Sequence, residues 1–175
     1  MTVRSRMRRR SIALLAVTIV LGGAACGGDD DTPASPRPAV ELIVPAVEAL
    51  EAELGGPQEY FEINVDERLV NLFVAVDGGT AAVPYLYLDG EIQPPAPAQP
   101  VVEGAAFDAT AIQFDPDTVL DTVAADLPTA TMRRFVVLVG PEGAVRYEVF
   151  VQSAQGGQLA VAVTPDGAVL GVETL

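Results

Sequence analysis

The stretch "DPDTVLD", residues 115–121, sets Asp115, Asp117 and Asp121 close together. Oxygen ligands at alternating positions, followed by glycine, would make a calcium loop. Here Val119 and Leu120 stand where the next ligands belong. The three acids therefore read as helix capping and a favourable interaction with the helix dipole. Glu48, Glu51 and Glu53 form a second group of carboxylates. Two facing acids can hydrolyse a glycoside, but this spacing fits the wet side of a helix. Tyr85 and Tyr87 alternate along one strand-like run, and Phe73 falls in the run before it. On an open sheet face these three rings would make a binding surface; the alternative is that they complete the core. One cysteine, Cys26, sits where an apolar run ends and an acidic run begins.

What is absent narrows the chemistry further. The chain has no histidine, which removes Ser-His and Cys-His catalysis and histidine-ligated zinc, copper or iron. After residue 25 only Ser35 and Ser153 remain as serines. No catalytic residue, metal or cofactor is expected, and the protein is read as a non-enzyme. All ten basic residues are arginine, and five of them lie in the first ten positions. Beyond residue 25, five arginines face 24 acids, a formal charge of −19. Such a surface repels phosphate backbones, so no nucleic-acid partner is expected.

The arginine-rich start "MTVRSRMRRR" is followed by the apolar run "SIALLAVTIVLGGAA". That is the layout of a secretory signal peptide over residues 1–25. Its strongly hydrophobic part is shorter than the roughly 20 apolar residues a membrane span needs. "GGAAC" resembles the bacterial lipobox, although Gly23 stands where Leu or Val is usual. The resemblance implies cleavage before Cys26 and acyl chains on its sulfur. Residues 26–38, "CGGDDDTPASPRP", then read as a flexible tether. The expected place is the extracytoplasmic side of the cell membrane, held there by the lipid on Cys26. Multiple acyl chains suffice, because each buried methylene contributes about 0.8 kcal/mol.

The elements that must carry any site follow. In 39–92, Val40, Ile43, Val47, Leu50 and Leu54 recur at helical spacing, and Gly55-Gly56-Pro57 stops the helix. Pro45 either kinks it or lies in its first turn. "EYFEINV", "RLVNLFVAV" and "AAVPYLYL" alternate like strands of an antiparallel meander. Pro84 belongs at an edge or a strand start. Residues 93–106 begin with the Pro-rich "QPPAPAQP" and read as an extended linker, and "VVEGAAFDATAIQF", residues 101–114, is expected to hold a short strand. In 107–175, Asp115 caps a second helix bearing Val119, Leu120, Val123 and Leu127, which Pro128 ends. "RRFVVLVG", "AVRYEVFV", "QLAVAVT" and "AVLGVETL" then alternate as four strands.

The two halves run in the same order, and 61–65 answers 135–139. The fold class expected is α+β: two tandem helix-plus-antiparallel-meander (αβββ) units, with the helices packed on the sheet. Leu50, Leu54, Leu120 and Val123 should be buried. The second unit, best over residues 116–175, resembles the PepSY module through Tyr147, Val149, Val151, Asp166, Gly167, Val169 and Leu170. The resemblance implies a non-enzymatic domain of secreted and envelope proteins that acts on a protein partner, a peptidase among the candidates.

Two functions are expected from these features. The first is an envelope lipoprotein that binds or regulates a peptide or protein partner. The second is a carrier of a lipid or other apolar ligand, enclosed between helices and a curved sheet. A purely structural spacer is the weakest reading. For Cys26, the expected outcome of Cys26→Ala is release from the membrane fraction or failure of processing. Unchanged partitioning and unchanged migration on a gel would defeat the lipoprotein assignment.

Overall fold

A computed structural model describes residues 36–101 and 104–175. The signal peptide, Cys26 and residues 26–35 of the tether lie outside the described residues. The described chain is α+β, with two helices and one ten-stranded antiparallel sheet. The first helix, α1, runs Ile43–Leu54 after a 3-10 turn at Val40–Leu42. Pro45 falls in its first turn, where backbone N–H groups have no intrahelical partner. Gly55, at φ 82°, ends it in the left-handed region, and Gly56 N–H returns to Glu51 O at 2.8 Å.

The first meander follows: β1 Glu59–Val65, β2 Leu69–Val76, β3 Ala81–Leu88 and the two-residue β4 Glu91–Ile92. The Pro-rich segment is not a free linker. Gln93 N–H donates to Leu86 O and Ala96 N–H to Pro84 O, and β5, Gln99–Pro100, pairs with β3. Pro84 therefore sits mid-strand on the outer strand of the meander. Its carbonyl points outward to Ala96, so its ring interrupts no bond to β2.

The short β6, Phe107–Asp108, crosses back to pair with β1, and a 3-10 turn at Ala109–Ala111 follows. The second helix, α2, is regular over Val119–Asp126, later than the Asp115–Pro116 start suggests. Asp115 still opens it: its carbonyl accepts from Val119 N–H at 2.9 Å and its carboxylate from Asp117 N–H at 3.0 Å. The second meander is β7 Thr131–Val139, β8 Val145–Gln152, β9 Gln158–Val163 and β10 Val169–Thr174.

The main path of the sheet has the order β10-β9-β8-β7-β1-β2-β3-β4. It reads the same outward from the central β1–β7 pair. That pair is antiparallel, with Ile63 opposite Val137 and Val65 opposite Phe135. One apolar cluster joins Ile43, Val47 and Leu50 of α1, Val119, Leu120 and Val123 of α2, and alternate residues of every long strand except β10, which contributes only Val169 at its margin. Leu50, Leu120 and Val123 are buried as their spacing suggests. Leu54 is not; it is 39% exposed at the last residue of α1.

A buried leucine and an exposed one on the same helix give a direct contrast. Leu50→Ala should cost about 2–5 kcal/mol through lost burial and a cavity. Leu54→Ala should cost clearly less, about 1 kcal/mol or under. Urea unfolding of the two variants measures both, and equal losses would contradict this placement of α1.

Candidate functional site

Residues directly opposite in a sheet share a face. Tyr85 stands opposite Leu72 and Tyr87 opposite Val70, so both tyrosines point to the core face; Tyr87 is buried and Tyr85 packs against the core margin. Phe73 stands opposite Pro84, on the other face. The structure does not bring the three rings onto one surface. Two of them complete the core, and only Phe73 stands on the face away from it. Sequence alternation places Tyr85 and Tyr87 together but cannot give the register that separates them from Phe73.

Of these carboxylates, Asp115, Asp121 and Glu51 have partners, and Glu48, Glu53 and Asp117 are exposed. Arg37 pairs with Asp121 at 2.8 Å, across exposed side chains, a contact worth about 0–1 kcal/mol. Glu51 is not simply on the wet face. Its Oε1 accepts from Gln58 N–H at 3.1 Å and from the Tyr60 hydroxyl at 3.3 Å, tying the end of α1 to β1. Among the described residues no group of three or more acids is placed to hold a metal ion.

The face of the sheet away from the core holds a polar arrangement that was not singled out from the sequence. Asn64, on β1, is only 4% exposed, and its Nδ2 donates to Glu62 Oε1 at 2.6 Å. Asn71, opposite on β2, donates to Asn64 Oδ1 at 2.9 Å. On β8, Arg146 forms an ion pair with Glu148, which is 8% exposed. Arg146 Nε is buried and has no hydrogen-bond partner among the described residues. Val136 and Leu138 of β7 lie between these groups, since Asn64 faces Val136 and Glu148 faces Val136 from the other side. The alternation of Glu62 with Asn64 and of Arg146 with Glu148 is visible in the sequence. Their approach across strands depends on the β1–β7 register, which is not.

One hollow touches this region, and another lies apart from it. The first, of about 170 Å³, has Ala160, Ala162 and Gly171 with Arg146, Glu148 and Glu173 around it. A larger open groove of about 460 Å³ lies at the β1–β2 turn between Asp66, Arg68, Leu88 and Arg133. Its charges are mixed, two acids against two arginines once Glu67 is included. The arrangement as a whole can offer hydrogen bonds, charge and apolar contact. It shows no nucleophile beside a base.

The residues that carry the PepSY likeness mainly build the fold. Tyr147, Val149 and Val151 lie in the core. The Tyr147 hydroxyl accepts from Gln113 N–H at 2.7 Å and donates to Gln113 O at 2.9 Å, and its ring meets Phe114 and Phe135. Gly167 turns at φ 88° directly against α2; a Cβ there would clash with the Val119 backbone. Asp166 is held below the usual carboxylate range by hydrogen bonding from Thr164. Val169 packs at the core margin, while Leu170 is exposed. No family model, curated protein or solved structure matches the chain.

Burial pushes the Tyr60 hydroxyl above its ordinary value, and the Glu51 carboxylate beside it adds to the shift. Burial also raises Tyr147, against an opposing hydrogen bond from Gln113. Below about pH 10 tyrosine is neutral in both the folded and the unfolded chain. Above it the unfolded chain loses protons that the folded chain retains, so stability falls as pH rises. Residues 36–175 contain no lysine, histidine or cysteine to mask the effect. Denaturation midpoints should therefore be flat between about pH 7 and 9 and fall beyond about 10. Tyr60→Phe combined with Tyr147→Phe should flatten that fall; an unchanged slope would show that these two hydroxyls are not its source.

Proposed function

We propose that residues 39–92 and 107–175 are two tandem αβββ units with their helices packed on one sheet face, fused through β1 and β7. The strand order supports this, because it is symmetric about that pair. So does the position of Ile63 opposite Val137, since the repeat makes these two residues equivalent. The protein is a non-enzymatic envelope lipoprotein, anchored outside the cytoplasmic membrane by acyl chains on Cys26. It binds or regulates a peptide or protein partner through the sheet rather than through the helices. The PepSY likeness of 116–175 makes an envelope peptidase one such partner.

The observation that carries the binding role is the mixed face away from the core, where the half-buried Phe73, Leu138 and Phe150 surround the hydrogen-bonded Asn64 and Asn71 and the Arg146–Glu148 pair. A sheet face facing only solvent is served by exposed, independent polar side chains. Here a chain of amide and carboxylate hydrogen bonds and an ion pair are set among aliphatic side chains, the combination found at protein interfaces. The carrier reading draws no comparable support. The space between the helices and the sheet is filled by one contiguous core, whereas a carrier needs an enclosed apolar cavity.

Photo-crosslinking in the native envelope tests the role. A benzophenone side chain at position 138 or 150 should give a discrete protein adduct, and the same group at Glu48 on α1 should give none. Absence of adducts from every sheet position, or equal labelling from Glu48, would defeat the binding role.

A further inference from the structure

The two ends of the sheet are treated differently. At the β3 end, the segment carrying Pro94, Pro95, Pro97 and Pro100 lies along the edge, and β4 and β5 are two residues each. Prolines and very short strands are how proteins keep an edge from pairing. At the other end stands β10, with no proline and no lysine. Among the described residues nothing pairs with its outer side. Leu170 and Val172 are 70% and 49% exposed there.

The ladder fixes which backbone groups are free. Leu175 N–H donates to Gln158 O at 3.2 Å, and the same register sets Thr174 opposite Leu159 and Val172 opposite Val161. Hydrogen-bonded and non-hydrogen-bonded pairs alternate in an antiparallel ladder. The N–H and C=O of Val172 and Thr174 therefore point away from β9. Beside them, on the face away from the core, lies the hollow floored by Ala160, Ala162 and Gly171. Nothing lies within 4 Å of where a Cβ on Gly171 would stand. A side chain from a strand laid along β10 can lean across that glycine. It would meet Glu173 and Glu148, with Arg146 already paired to the latter. From Tyr147 to Leu175 the chain holds three acids and no base.

Resting on the binding role proposed above, we propose that β10 accepts an extended peptide segment of another protein as an eleventh strand. Apolar residues of that segment lie against Leu170 and Val172, and a lysine or arginine reaches over Gly171 toward Glu173 and Glu148. Backbone pairing gives the affinity and the hollow gives the preference for a basic side chain. A second copy of this chain fits less well. Its own β10 brings Glu173 and no base, and both copies carry a large negative charge that opposes association.

The test uses the full-length protein and two synthetic eight-residue probes, one alternating valine with lysine and one alternating valine with glutamate. Fluorescence anisotropy should show saturable binding of the valine–lysine peptide and about tenfold weaker binding of the other. Amide exchange at Val172 and Thr174 should slow when the first peptide is bound. Val172→Pro removes an outward N–H and no bond of its own ladder, and should weaken binding by about tenfold or more. Thr174→Pro, at the next outward N–H, serves if the first variant fails to fold.

Unchanged affinity in a folded proline variant, no binding of either peptide, or slowed exchange away from β10 would overturn the proposal. So would a dimer of the protein alone that Val172→Pro converts to monomer, which would assign the edge to a second copy. Adducts from positions 138 and 150 without slowed exchange in β10 would sink the edge assignment and leave the binding role standing. Loss of those adducts as well would sink both.

Discussion

The antiparallel pairing of β1 with β7 is the contact on which the rest depends. It joins strands from the two halves of the chain, about seventy residues apart in sequence for the Ile63–Val137 pair. Each meander with its helix offers one apolar face, and the pairing merges the two faces into one core. Placing the first strand of each meander at the centre gives Ile63, Val65, Phe135 and Val137 neighbours on both sides, and all four are fully buried. The outer strands can then be progressively more exposed. The chemistry of the strands follows this gradient. "FVVLV" in β7 is a continuous apolar run: Phe135 and Val137 lie in the core, and Val136, on the other face, is closed in by its neighbours. β10 carries glycine, glutamate and threonine beside its valines.

The same central position explains why polar groups on the far face need partners. Asn64 stands in the middle of the sheet, between β2 and β7, where water is largely excluded by its neighbours. A buried amide left unsatisfied costs about 1–3 kcal/mol. Asn64 avoids that cost by donating to Glu62 and accepting from Asn71. A one-residue slip of β1 against β2 would break this chain and turn Ile63 and Val65 to the wrong face. The hydrogen bonds thus reinforce the register that the apolar pattern sets. Glu148 is in the same position one strand beyond β7, and Arg146 is its partner.

The elements themselves were legible from alternation and turn chemistry. "EYFEINV" and "AAVPYLYL" coincide with β1 and β3 residue for residue, because glycine and aspartate turns bound them closely. The start of α2 was legible in Asp115, yet the regular helix begins at Val119, because one Asx turn intervenes. Leu54 continued the helical spacing, but periodicity does not show whether the last turn of a helix is covered. The Pro-rich segment read as a linker because proline cannot extend a central ladder; only the fold shows that it lies along an edge, where that deficiency is harmless. The site was the least legible part. Its residues come from β1, β2, β7 and β8, and no local pattern links them across a register that tertiary packing decides.

A fixed charge pattern follows from the composition. Residues 36–175 hold five arginines against 21 acids, the 24 of the whole chain less Asp29, Asp30 and Asp31. They hold no histidine, cysteine or lysine, so no side chain has an ordinary pKa between about 5 and 9. General acid–base catalysis works best with a group that titrates near the working pH, and this segment offers none with an ordinary value there. A binding surface has the opposite requirement. Its charges must stay constant if recognition is to survive changes of pH. A composition without histidine, cysteine or lysine therefore suits the contact surface proposed above.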